Sequence, residues 1–304
     1  MKRFVLLLVL VTTLFCVDYR MIYAAPLTKE PGILTDKLLN LTFNHKTVQN
    51  KPSDDLYPTW SPNGESIAFT SNRSGKYEIW LMKVDGSDCR QLTTFKGVGS
   101  VATSPAWYPN SLSIVFSAKK DAKSTFDIWR INIDGGGLRN LTYFLNESDE
   151  KDPSWSPDGS RIVFASNRGA EGQYRLYTID SRSFDTNVRD ANITLLPDQM
   201  GNNYHPVWSP NGTSIAFVSD RAGKRNIWMI PFPGSKAVKL TNGQDDAFPS
   251  WSLDGKIIYY SSREGSTTSL SSIPATGGSP TTLLHWIGYN TFDPECSRKP
   301  ELNR

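Results

Sequence analysis

Hydrophobic positions along the chain fall in short runs. Triplets such as Ile67-Ala-Phe69, Ile114-Val-Phe116, Ile162-Val-Phe164, Ile215-Ala-Phe217 and Ile257-Ile-Tyr259 recur, each just after a tight-turn cluster. Runs of this length, rich in β-branched and aromatic residues and bounded by Gly, Pro, Asn and Asp, predict strands. After a polar loop comes a further run, as in Glu78-Ile-Trp-Leu-Met82 and Asn226-Ile-Trp-Met-Ile230. A turn such as Asp85-Gly86 or Asp134-Gly135 then leads to a last strand ending in Leu-Thr, at Leu92-Thr93, Leu141-Thr142 and Leu240-Thr241. Each unit thus predicts four short strands, and no helical segment follows any of them.

The units are copies of one another. They open on Tyr57-Pro-Thr-Trp-Ser-Pro-Asn-Gly64, Ser104-Pro-Ala-Trp-Tyr-Pro-Asn110, Asp152-Pro-Ser-Trp-Ser-Pro-Asp-Gly159, His205-Pro-Val-Trp-Ser-Pro-Asn-Gly212 and Phe248-Pro-Ser-Trp-Ser-Leu-Asp-Gly255. The tryptophans at 60, 107, 155, 208 and 251 stand 43 to 53 residues apart, the period of a propeller blade. In the Pro-Asn/Asp-Gly cluster Gly supplies a positive φ and Pro fixes its own, which makes a tight turn. Near the C-terminus Asp293-Pro-Glu-Cys-Ser297 aligns with Asp152-Pro-Ser-Trp-Ser156, and Leu38-Leu-Asn-Leu-Thr42 reads as an outer strand with no blade before it. The expected fold class is therefore all-β: a β-propeller of four-stranded blades, five clear repeats plus an incomplete sixth blade shared by the chain ends.

The motif Pro-x-Trp-Ser-Pro-Asp-Gly-x-x-Ile-x-Phe-x-Ser-Asn-Arg resembles the repeat of the TolB-like β-propeller family, over residues from about 38 to 297. The family's namesake carries an α/β domain before its propeller. No such domain fits in the residues before Asp54, so the resemblance is to the family and not to that protein. It implies an extracytoplasmic module that binds a protein or peptide partner at the channel mouth.

The start of the chain adds a location. Lys2 and Arg3 precede a fourteen-residue apolar run, Phe4 to Val17, with small residues at Ala24 and Ala25. That is the layout of a secretory signal. Residues 1–25 are read as a signal peptide, or as an uncleaved anchor, and 26–304 as the propeller. The expected place is periplasmic or secreted, with no integral membrane span if the signal is cleaved. A hydrophobic share of 38% allows an ordinary core, and the product is expected to be a monomer. Net charge is only +3 with scattered Lys and Arg, which points away from nucleic acid. Cys89 and Cys296 lack a C-x-x-C partner, and His45, His205 and His285 lack metal spacing, so no metal and no cofactor is expected.

What recurs in every blade reads as scaffold. This covers the five repeat tryptophans, and Trp80, Trp129, Tyr177 and Trp228 on the third strands. It also covers a set of acid–arginine tethers built from Asp55, Glu150 and Asp246 with Arg73, Arg168, Arg221 and Arg263. What differs reads as function. The residue before each repeat proline is Tyr57, Ser104, Asp152, His205 or Phe248, and these are the candidate binding residues ringing the channel mouth.

No Gly-x-Ser-x-Gly elbow occurs, and Gly97-Val-Gly-Ser-Val-Ala102 matches a dinucleotide fingerprint only formally, since Ser104-Pro105 follows instead of a helix. The expectation is a non-catalytic scaffold that binds protein or peptide in the cell envelope. The alternative is a propeller hydrolase or lyase acting on sugar or peptide, using Asp152 with Asp55 or Glu150.

Overall fold

A computed structural model describes residues 9–15, 20–26, 39–40, 53–143, 148–169, 172–181, 193–265 and 267–287. Five four-stranded antiparallel blades stand in a ring, with inner strands Asp55–Trp60, Val101–Trp107, Glu150–Trp155, Asn203–Trp208 and Asp245–Trp251. Each blade runs outward from its inner strand through two further strands to its edge. The edges of the first four blades are short, at Arg90–Gln91, Arg139–Asn140, Ile193–Leu195 and Val238–Lys239; the fifth, Thr281–Ile287, is longer.

Val9–Phe15, Arg20–Pro26 and Leu39–Asn40 form a three-stranded antiparallel sheet. Its first strand lies against both the inner strand of blade 1 and the third strand of blade 5. The outer strand expected around Leu38–Thr42 is thus present as Leu39–Asn40. Asp293–Ser297, expected to share the sixth blade, lies outside the described residues.

The core lies between blades, because each strand buries both faces. Ile79, Leu81 and Ala68 of blade 1 pack with Ile114, Phe116 and Ile131 of blade 2, and the later seams repeat the arrangement. Phe69, Phe116, Phe164 and Phe217, the last residues of four triplets, have no exposed surface.

In the fifth blade the register corrects the sequence expectation. Trp251 pairs with Ile258, as Trp60 pairs with Ile67, so the triplet there is Ile258–Tyr260 and not Ile257–Tyr259. Tyr260 takes the phenylalanine place at 4% exposure.

The repeated turns have a common chemistry. Ser61, Ser156, Ser209 and Ser252 each donate from Oγ to the Asn or Asp two residues on, at 2.6–2.7 Å. The same Oγ accepts the backbone N–H five residues on, at 2.9–3.0 Å. The Leu-Thr ending is explained in the same way: Thr93, Thr142 and Thr241 Oγ1 accept from Ile79, Ile128 and Ile227 N at 2.9 Å.

A candidate binding site at the channel mouth

Proline in the middle of a strand cannot donate to the ladder, so a bulge is expected at each repeat proline. The structure has one in every inner strand: pairing slips between Leu56 and Thr59, Thr103 and Ala106, Lys151 and Ser154, Tyr204 and Val207, and Ala247 and Ser250. The residue ahead of each proline has a left-handed backbone: Tyr57 φ 50°, Ser104 53°, Asp152 54°, His205 47°, Phe248 55°. For residues with a Cβ this conformation costs about 1–3 kcal/mol. Five repetitions of it turn five side chains toward one place. All five candidate mouth residues line a single cavity of about 230 Å³, together with Pro58, Pro105, Pro153, Pro206 and Pro249.

The ring has two unlike sides. Tyr57, His205 and Phe248 cluster, with ring centroids 4.5 Å apart for His205–Phe248, 5.9 Å for Tyr57–Phe248 and 6.2 Å for Tyr57–His205. Opposite, Asp152 accepts from Ser104 Oγ at 3.1 Å on one side and from His205 N at 3.2 Å on the other. His205 Nδ1 stands 3.1 Å from the same carboxylate. Asp152 N donates to Ser117 Oγ at 3.0 Å, and Ser104 N to Thr70 Oγ1 at 3.2 Å, which fix both bulges. Burial alone would push the Asp152 carboxyl up; the charge His205 carries when protonated and the accepted hydrogen bonds outweigh it, holding the group below the usual carboxylate range.

The tether residues are not placed alike. Arg73 Nη2 donates to Asp55 Oδ1 at 2.8 Å, both side chains buried, while Nη1 reaches Cys89 Sγ at 2.9 Å. Arg221 donates to Asn203 Oδ1 and to Asp198 Oδ2, each at 3.2 Å, and lies over Trp228. Glu150 accepts from Ser148 Oγ at 2.6 Å and Ser166 Oγ at 2.9 Å, and Arg168 lies over the Tyr177 ring. Burial pushes the Glu150 carboxyl up to about 8, against hydrogen bonds that favour its charge.

Asp246 accepts from Ser262 Oγ at 2.6 Å, Thr241 Oγ1 at 2.5 Å and Gly243 N at 3.0 Å. Arg263 donates instead to Gly265 O at 3.2 Å and is exposed. The register explains it: thirteen residues after the repeat tryptophan stands Arg73 in blade 1 but Glu264 in blade 5, and a shift of one residue sends a side chain to the other face.

Asp55 and Glu150, the carboxylates considered as partners of Asp152, are buried within blades and do not line the cavity. Thr59, Tyr259, Tyr260 and Leu270 do line it. The adjacent isoleucines 257 and 258 ahead of them conceal the register of the two tyrosines in the sequence. Among the described residues no group of three or more His, Cys, Asp or Glu is placed to hold a metal ion, and no helix is long and apolar enough to cross a membrane. Cys89 is a free thiol; Cys296 lies outside the described residues.

Fold and mouth together define a β-propeller with one shaped cavity at its axis. Residues 147–297 match the family model described as the TolB beta propeller domain. The Tol-Pal system protein TolB of Francisella tularensis subsp. mediasiatica is 25% identical over 218 residues, covering 71% of this chain and 47% of that protein. The chain thus spans about half the length of the curated relatives it matches.

A crystal structure of TolB from Acinetobacter baumannii superposes with a TM-score of 0.65 at 20% identity, covering 86% of this chain and 61% of the other. An oligogalacturonate lyase in complex with manganese reaches a TM-score of 0.55 at 13% identity, over 91% and 73%. At these identities the structural likenesses show the fold alone. The repeats of this chain are similar to those of the TolB-like β-propeller family.

Proposed function

We propose that the chain is an exported, non-catalytic scaffold that binds a protein or peptide partner at the channel mouth, in the periplasm or outside the cell. The observation that carries this reading is the ring of five unlike side chains on five equivalent bulges, around one cavity. A pocket with an aromatic side and a hydrogen-bonding side suits a short peptide segment or loop. The basic, apolar start of the sequence supports export, with residues 1–25 as its signal. The relatives' name places those proteins in a Tol-Pal system, which supports an envelope role.

A hydrolase or lyase of the same fold is the rival, favoured by the likeness to the oligogalacturonate lyase. Two-carboxylate glycoside chemistry needs a second acid beside Asp152, and Asp152 is the one acid among the described residues lining the cavity. Its depressed pKa suits a fixed acceptor better than a proton donor.

The test is capture of envelope proteins of the source organism by the full chain. A specific partner retained by the wild type and lost with Tyr57→Ala and His205→Ala supports the proposal. Capture indifferent to both substitutions refutes a mouth-centred site.

A further inference from the structure

Two loops at the end of blade 2 where its inner strand begins build a basic rim. Residues 95–100 lead into the inner strand of blade 2, and residues 119–124 join that blade's second and third strands. Ala122 N donates to Val98 O at 2.9 Å, tying one loop to the other. Gly97 and Gly99 permit the approach. A Cβ on Gly97 would stand 2.0 Å from Lys120 O, and one on Gly99 would stand 2.8 Å from Ala122 Cβ. The Gly-x-Gly pair that imitates a dinucleotide fingerprint is therefore a packing device. It brings Lys96 into one surface with Lys119, Lys120 and Lys123, around the 89% exposed tip of Val98.

None of these four lysines has an ion-pair partner among the described residues. Asp121, the one acid in the two loops, caps its own turn, accepting from Ser124 Oγ at 2.8 Å and Lys123 N at 2.9 Å. The two loops carry a net +3, as much as the whole chain.

Beside this rim stands the ring of Phe126. Lys119 Nζ lies 5.6 Å above the centre of the Phe126 ring, and Lys151 Nζ, paired with Asp149 Oδ2 at 2.9 Å, lies 4.8 Å from it. Lys151 immediately precedes Asp152, the acceptor of the mouth.

We infer that the rim docks an acidic segment of the protein partner: an extended stretch rich in Asp or Glu that crosses the lysines and passes over Phe126 toward the cavity. The inference rests on the binding function proposed above and adds the chemistry of the partner. Lysines without an ion-pair partner at the edge of a site attract such a segment over a Debye length of about 8 Å, and they act chiefly on its association rate. Phe126, flanked by two ammonium groups, offers an apolar step between charged ones.

The test is a fluorescence-anisotropy titration of labelled decaglutamate with the full chain, at low and high salt. The expected result is binding at low salt that weakens about tenfold or more in the combined Lys119→Glu, Lys120→Glu, Lys123→Glu variant and is lost at high salt. The corresponding Gln triple variant should fall between, and Lys256→Glu, 80% exposed at the turn end of blade 5, should leave the affinity within about twofold. Decalysine should not bind.

Failure of the wild type to bind, or an unchanged affinity in both lysine variants, overturns the inference. So does capture of the chain by phosphatidylglycerol vesicles with decaglutamate unbound. Decaglutamate reads the rim and envelope capture reads the mouth, so failure of one is told apart from failure of the other.

Discussion

The turn end and the bulge of each inner strand obey opposite rules. At the turn end, the same serine oxygen makes the same two hydrogen bonds in four of the five blades. At the bulge, five blades share a backbone, with φ between 47° and 55°, and no two share a side chain. Repetition at the turn is what blade formation requires. Variety on a constant, strained backbone is what recognition can use.

Substitutions should separate the two rules. The largest effect is expected for Trp107→Ala, which empties a seam and removes the Nε1–H donated to Thr59 O at 3.0 Å across blades. A loss of about 3–5 kcal/mol is expected in urea unfolding. Phe248→Ala should cost less than half of that, yet abolish partner capture. Equal destabilisation by the two would erase the distinction.

Next comes Asp152→Asn, expected to cost about 2 kcal/mol at neutral pH, because His205 and Ser104 lose a charged acceptor. Since the native carboxyl is held low, its contribution is present above the ordinary carboxylate range and fades as pH falls through the depressed value. Thermal melts of the variant should lack that acid-side loss.

Glu150, two residues earlier on the same strand, should behave in the opposite way. Its folded pKa of about 8 exceeds the ordinary glutamate value of 4.5, so its share of stability is complete below 4.5 and declines as pH rises toward 8. Glu150→Gln should flatten that decline, whose slope approaches about 1.4 kcal/mol per pH unit. A parallel pH profile for variant and wild type would show that the site stays ionised in the fold.

The smallest effect is expected at the turn. Ser156→Ala removes the acceptor of Arg161 N and the donor to Asp158, and should cost about 1 kcal/mol with partner binding unchanged.

The blades were legible in the sequence because Trp, Pro and Gly each mark a backbone event that recurs. The mouth residues were legible for the same reason: a proline inside a strand announces the bulge, and the bulge fixes where its predecessor points. Two adjacent isoleucines at 257 and 258 concealed the register of blade 5, and with it the exposure of Arg263 and the place of Tyr259. The pairing of Asp152 with His205 joins residues 53 apart and depends on how blade 3 packs against blade 4, which no local pattern reports. The seating of Phe126 between Lys119 and Lys151 was hidden likewise, because its members come from two blades.

The most direct test places a photo-crosslinking phenylalanine analogue at Phe248 in one variant and at Leu253 in another, with irradiation in the intact envelope. Leu253 stands at the turn end of the same blade and is 69% exposed. A partner adduct from position 248 and none from 253 is the predicted result. Adducts from 253 with none from 248 would contradict it, placing recognition on the face where the blades are alike.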